Sequence, residues 1–295
     1  PDEEVLYGAT YTVKPGVYRR YDRFTGWSDG TYLRQPGSKV VVTSDITFTA
    51  QWDYGTNPPV EQPKDLDGIP SLLNGADHYA YVAGYEDGTV RPEAPITRAE
   101  VAAMFFRLLD SDVRSANLTW VSPFSDVSSA DWFGIEVATM YRLGIISGDP
   151  DGHFRPNDTI TRAEFAAIAA AFDQNTDAGT VDFTDIRGHW AASAIRRAAA
   201  RGWVSGYPGG TFRPDASITR AEAMSLVNRM LQRNPKSADA LLTGMNTWKD
   251  NADVNAWYYL DVQEATNSHD YHRLADDSES WNRLTGTPDW SALKR

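Results

Sequence analysis

Three apolar runs stand out along the chain: 101–109 (VAAMFFRLL), 165–172 (FAAIAAAF) and 223–231 (AMSLVNRML). Each mixes small alanines or serine with large side chains, a pattern that lets helices approach closely and predicts a central three-helix bundle. Each run follows the same five residues, Ile-Thr-Arg-Ala-Glu, at 96–100, 160–164 and 218–222. Thr97, Thr161 and Thr219 are in place to cap the helices with their hydroxyls. Glu100, Glu164 and Glu222, three residues on, can reach back to the N–H of the cap and favour the positive end of the helix dipole. Ile96 can staple to Val101 and Ile160 to Phe165, with a weaker pair in Ile218 and Ala223. Shorter helices are expected over about 131–143 and 190–201, closed by Gly144 and Gly202.

The first fifty residues read differently. TYTVKPG, RFTGWSDG and KVVVTSDITFTAQW are rich in Tyr, Thr and Val, broken by Pro-Gly and Asp-Gly turns, and predict short strands. Trp27 and Trp52 are expected in the core of this module, with a carbohydrate platform as the other reading. Residues 54–66 carry closely spaced prolines and predict an extended, semi-stiff linker. The expected organisation is a β-rich module over 1–53, the linker over 54–66, and a mainly α region over 67–295.

Upstream of each Ile-Thr-Arg-Ala-Glu the likeness continues without gaps. Gly84-Tyr85-Glu86-Asp87-Gly88-Thr89-Val90-Arg91-Pro92 precedes the first copy, and the loops beginning at Gly148 and Gly206 precede the others at the same offset. This is an internal repeat. Phe124-Ser125-Asp126-Val127 and Phe183-Thr184-Asp185-Ile186 lead into the second and third repeats. The first has no room for such a piece. Trp248-Lys249-Asp250 and the helix predicted over 256–267 supply it, so repeat 1 (67–110) is expected to be split and completed by 248–267, which would pack beside the helix of 97–109. Repeat 2 spans 122–173, repeat 3 spans 181–233, and a tail (268–295) with Trp281, Leu284 and Trp290 as anchors wraps over the closing repeat.

At these residues the chain resembles the S-layer homology (SLH) family. The resemblance covers residues 67 to 295, and implies a pseudo-threefold, three-pronged spindle around a central three-helix bundle. It also implies an extracellular module that binds a secondary cell-wall polysaccharide, often through a pyruvylated sugar, in grooves between prongs. The N-terminal GW…DITFTAQW stretch resembles the Listeria–Bacteroides repeat, a β-grasp-like module of bacterial surface proteins.

Composition narrows the classes. Net charge is −12 and there is no cysteine. A broad basic face for nucleic acid or an anionic membrane is therefore not expected, and neither disulfides nor thiolate metal sites are available. A local arginine pocket for one small anionic group remains compatible. No apolar run reaches the ~20 residues that span a bilayer. The start at Pro1, without Met or a signal-peptide pattern, reads as a processed or truncated piece of a longer exported protein.

Candidate chemistry falls in three sets. Arg98, Arg162 and Arg220 open the helices beside backbone N–H groups, where a guanidinium is a good receptor for a carboxylate. Pairing with a nearby Asp or Glu is the alternative. Trp132, Trp190 and Trp257 start the outer helices, as sugar platforms or as cover for the core. In the loops, Gly84, Gly148 and Gly206 allow positive φ or close ligand approach. Asp87 and Asp151 accept from sugar hydroxyls or form the turn. Tyr85 and Tyr207 have Asp149 at the same place in the second repeat, and Gly209 replaces the aspartate in the third. The grooves are thus inequivalent, and the one containing Gly209 is not expected to be the strongest. Arg91, Arg155 and Arg213 are expected to anchor loops to neighbouring carbonyls.

No catalytic motif is recognised. Asp149-x-Asp151-Gly152 lacks the later ligands of a calcium loop. His269 and His272 around Asp270 are not expected to hold a metal, and no cofactor is implied. The expected function is noncatalytic anchoring of a larger secreted protein to the bacterial surface, through a cell-wall polysaccharide or peptidoglycan-linked glycan, by a monomeric module. A protein- or peptidoglycan-binding module, or a glycan hydrolase, is the alternative.

Overall fold

The computed structural model describes residues 5–13, 23–53, 68–173, 180–290 and 292, with backbone alone at 23, 24, 52 and 53. The chain divides into two compact units, 1–62 and 63–295. The expected linker, 54–66, and the Trp52 side chain lie outside the described residues.

In the N-terminal unit β1 (Thr10–Thr12) pairs antiparallel with β4 (Lys39–Val41). A second sheet runs β3 (Leu33–Arg34), β2 (Arg23–Ser28), β5 (Thr49–Asp53). Asp29 closes the turn between β2 and β3 by accepting from the N–H groups of Thr31 and Tyr32 at 2.9 and 2.6 Å. β2 is bulged at Gly26. Trp27 is half-buried there, so it covers the sheet without being sealed in a core.

The second unit holds seven α-helices and one hairpin among the described residues. The inner helices are α1 (Arg98–Leu108), α4 (Arg162–Phe172) and α6 (Arg220–Met230). All three carry the full capping box, with Thr97, Thr161 and Thr219 as caps. Each cap contributes roughly 1 kcal/mol, enough to fix where a helix begins. Buried phenylalanines join two of these helices, Phe105 lying 5.8 Å from Phe165 and 5.0 Å from Phe172 between ring centres. A short α2 (Ser111–Asn117), not anticipated from the sequence, starts on Asp110, whose carboxylate accepts from Asp112 and Val113.

The three copies are tied in a closed cycle just ahead of the inner helices. Ile96 N–H donates to Ile218, Ile160 to Ile96 and Ile218 to Ile160, at 3.0–3.2 Å. These isoleucine side chains are at most 1% exposed. The stapling residue at each helix start is therefore also the residue that joins one repeat to the next.

The outer helices are α3 (Gly134–Arg142), α5 (Ala192–Ala200) and α7 (Tyr259–Thr266). Gly144 and Gly202 end α3 and α5 at φ of 70° and 74°, the left-handed position that suits glycine. Packing runs α3 on α1, α5 on α4 and α7 on α6. The expectation that α7 lies beside α1 is thus corrected. An outer helix precedes its own loop in each repeat and packs on the inner helix of the preceding repeat, and α7 obeys that rule by settling on α6. Its link to repeat 1 includes backbone, Tyr81 and Val82 both donating to the Ala265 carbonyl at 3.0 Å.

The split of repeat 1 is visible in its lead-in residues. Asp250 accepts from the N–H groups of Val90 and Arg91 at 2.9 and 2.8 Å. Asp126 does the same for Phe154 and Arg155, and Asp185 for Phe212 and Arg213. The tail, expected only to wrap, forms a hairpin of β6 (His269–Arg273) and β7 (Glu279–Leu284). Trp281 is buried within it.

Candidate functional site

The inner-helix arginines all point across a repeat boundary. Arg98 donates to the Phe154 carbonyl at 2.8 Å and forms an ion pair with Glu164. Arg220 donates to the Val90 carbonyl at 2.9 Å and to Glu100 at 2.6 Å. Arg162 donates to the carbonyls of Phe212 and Ser205, both at 2.7 Å. Among the described residues Arg162 alone of the three makes no ion pair with the next capping glutamate, Glu222.

The helix N-termini are not free, which corrects the sequence expectation. Arg98 N–H donates to the Asp158 carbonyl and Ala99 N–H to Pro156; Arg162 and Ala163 reach Ala216 and Pro214; Arg220 and Ala221 reach Ala94 and Pro92. The carbonyls of the following loop thus take the donors that an anion would need. The helix ends are filled, and a ligand can meet only the arginine side chains, of which Arg162 and Arg220 are buried and already donate to loop carbonyls.

One groove has a cavity of about 240 Å³, lined by Arg162, Gly206, Tyr207, Glu222, Arg229 and Trp257, together with Ser205, Ser225 and Leu226. Four residues singled out from the sequence meet here: Arg162, Gly206, Tyr207 and Trp257. The Arg162 guanidinium sits 4.8 Å from the centre of the Tyr207 ring. Burial pushes Arg162 down from its usual pKa, against the attraction of Tyr207 and Glu222. Trp257 is 64% exposed, and Trp132 and Trp190 are exposed as well, so none of them covers a core. An exposed indole lining the same cavity as two arginines gives that cavity both an apolar face and positive charge, the two things a charged sugar offers partners for.

The cavity belongs to the loop that contains Gly209, the groove ranked low from the sequence. The Gly209 position itself does not line it. Arg229, the exposed residue in the otherwise buried last turn of α6, was not singled out. Its spacing of seven from Glu222 puts it on the same helix face, which the sequence could have shown.

Elsewhere the loops hold themselves together. Asp87 accepts from the Thr89 hydroxyl and N–H and pairs with Arg91, contacts that hold its carboxyl down to about 2. Asp151 accepts from His153 N–H and pairs with Arg155. Both are turn formers here. Arg91, Arg155 and Arg213 were expected to grip carbonyls. Instead Arg91 and Arg155 pair with aspartates, and Arg213 lies over Tyr207 at 4.2 Å. All three have φ between 52° and 57°, the left-handed region, pinned by the lead-in aspartates.

Gly84, Gly148 and Gly206 do not have positive φ. A Cβ on them would collide with Trp248, Phe124 and Phe183 respectively, so the close approach is by the aromatic ring of the lead-in motif. Tyr85 donates to Glu100 at 3.2 Å, with Arg91 and Arg220 against its ring. The groove of repeat 1 thus has an Arg–Glu ion pair that, among the described residues, the Arg162 groove lacks.

Residues 76–102, 123–166 and 182–224 match the S-layer homology domain. A cellulosome-anchoring protein of Acetivibrio thermocellus is 38% identical over 72% of this chain and 47% of its own length. Cell surface glycoprotein 1 of the same organism is 35% identical over 76% of the chain, which spans 10% of that protein. An amylopullulanase of Thermoanaerobacterium thermosulfurigenes is 37% identical over 52% of the chain and 8% of its length. The chain thus spans less than half of each of these relatives.

Proposed function

We propose, from the premise that this chain carries three S-layer homology segments, that it is a noncatalytic module anchoring a larger secreted protein to the bacterial cell wall. An anchoring protein, a surface glycoprotein and an amylopullulanase each match this chain, over 47%, 10% and 8% of their own lengths. A role common to such different proteins is attachment rather than turnover. The reading extends to a pseudo-threefold, three-pronged spindle, supported by the isoleucine cycle and the repeated Arg–carbonyl contacts. It takes the N-terminal strands as a Listeria–Bacteroides-like spacer.

The ligand is an anionic secondary cell-wall polysaccharide, with a pyruvylated sugar as the fitting chemistry. The observation that carries this is the Arg162 groove. An arginine without an ion-pair partner among the described residues, a second arginine at 229, and a solvent-facing tryptophan line one cavity. Arg162 and Arg229 would hold the carboxylate, Trp257 would stack on the sugar ring, and Glu222 or Ser225 would take its hydroxyls. In the other two grooves the equivalent arginines pair with Glu164 and Glu100. A ligand there has to displace a glutamate, so those grooves add avidity rather than primary affinity.

A wall-pelleting assay tests this, comparing intact wall with sacculi stripped of their polymer. Arg162→Ala and Trp257→Ala should each lower the pelleted fraction at least tenfold on intact wall. Arg98→Ala and Arg220→Ala should lower it less. Equal pelleting of all four variants with the parent removes the groove assignment. Undiminished pelleting on stripped sacculi favours a peptidoglycan partner.

A further inference from the structure

Where the first and last parts of the second unit meet, a buried cluster gathers His78, Glu264 on α7, His269 at the start of β6, and Glu279 on β7. None is more than 3% exposed. His78 Nδ1 lies 3.0 Å from Glu264 Oε1 and 3.2 Å from His269 Nε2. His269 Nε2 lies 3.3 Å from Glu264 Oε2, and Glu279 Oε2 is 3.8 Å from His78 Nδ1.

We infer that His78, Glu264 and His269 form a three-ligand binding site for a divalent transition-metal ion of the zinc type, with Glu279 beside it but held by Arg273 and the Asn234 N–H. A tetrahedral ion with bonds of about 2.0–2.2 Å keeps its ligand atoms about 3.3–3.5 Å apart. The distances between histidine nitrogens and Glu264 oxygens come within a few tenths of an ångström of that.

Hydrogen bonding points the same way. His269 Nδ1 is 3.0 Å from the Asn267 carbonyl, which can only accept, so in the neutral ring the proton sits on Nδ1. The bare Nε2 then faces the cluster, in the manner of a metal-bound imidazole oriented by a carbonyl behind it. His78 Nδ1 has at most one proton to give, and two acceptors, His269 Nε2 and Glu264 Oε1, lie within reach of it. Buried Glu264 Oε1 faces His78 Nδ1 at 3.0 Å and is hydrogen-bonded only when the His78 proton turns to it rather than to His269. Glu264 Oε2 accepts from Trp281 Nε1 at 3.1 Å, a typical outer contact for a metal carboxylate.

Charge also leaves a deficit at Glu264. Arg273 pairs with Glu279 at 2.9 Å, whereas among the described residues Glu264 has only the two imidazoles as ion-pair partners. Histidine and carboxylate donors without thiolates suit a chain that has no cysteine. The ion would staple residue 78 to residues 264 and 269, fastening the split repeat at its seam.

The full chain, stripped by chelator and dialysed, is titrated with zinc and assayed for bound metal. One zinc per chain is expected, with a rise in melting temperature that chelator reverses. His269→Gln and Glu264→Gln should each bring the stoichiometry to zero. X-ray absorption at the zinc edge of the unaltered protein reads the ligands without any variant, and should give imidazole nitrogen together with oxygen. Absence of binding in the unaltered chain overturns the site, as does full stoichiometry in His269→Gln or a spectrum without imidazole.

Discussion

The residue that does most in each loop is the lead-in aspartate. Asp126, Asp185 and Asp250 each accept two consecutive backbone N–H groups, the second belonging to an arginine in the left-handed region. That backbone state costs about 1–2 kcal/mol for a residue with a side chain. Two charge-assisted bonds worth about 1.5–3 kcal/mol each can offset it. Burial would raise the Asp126 and Asp185 carboxyls, but the paired N–H groups outweigh it and both end lowered. A carboxylate with a lowered folded-state pKa adds stability above its unfolded value, about 3.9. That stability disappears as pH falls through the lowered value. Asp185→Ala should therefore cost about 2–4 kcal/mol at pH 7. The gap to the parent should close progressively below about pH 4, where the parent carboxylate itself protonates. Denaturant unfolding across pH reads this; a gap that stays constant into acid would mean the carboxylate charge is not what holds the loop.

Among the elements, the three inner helices begin alike but are not held alike. Glu100 and Glu164 serve twice, closing the capping box and receiving Arg220 or Arg98 from the neighbouring repeat. Glu222 closes its box without such a partner among the described residues. Glu222→Ala should cost about 1 kcal/mol, the value of a cap. Glu164→Ala should cost about 2–4 kcal/mol, because the cap and a charged hydrogen bond are lost together. Thermal unfolding of the two variants checks the difference; equal losses would mean that Arg162 and Glu222 are paired after all. The helices themselves were legible because caps, stapling isoleucines and terminal glycines act within four or five residues of chain. The hairpin was not, since His269–Arg273 and Glu279–Leu284 are polar along most of both strands. What pins it is the burial of His269 and Trp281 against Glu264 of α7, which no local pattern announces. The Arg162 cavity was legible only in part. The repeat named Arg162, Gly206 and Tyr207 together, but that Trp257 stands opposite them depends on α7 packing on α6.

For the whole molecule, closure of the second unit depends on a piece of chain far from the repeat it completes. Residues 248–266 supply the lead-in aspartate of repeat 1, the aromatic ring on Gly84, and the helix that covers α6. Val262 and Ala265 are fully buried in that cover, and Asn228 on α6 donates to the Asp261 side chain at 2.9 Å. Ending the chain at residue 247 would strip these contacts at once. It would leave Val90 and Arg91 N–H groups without their acceptor, and remove the buried Val262 and Ala265 from the cover of α6. Burying one such side chain is worth about 1.5–3 kcal/mol, and a domain has only about 5–15 kcal/mol in hand. The truncated protein should therefore lose its cooperative thermal transition. Adding residues 236–295 as a separate peptide should restore it in proportion to peptide concentration, because binding to the folded state alone draws the equilibrium that way. A truncated chain that melts cooperatively at the midpoint of the full one would show that repeat 1 stands without its distant half, and the ring would have no need of closure.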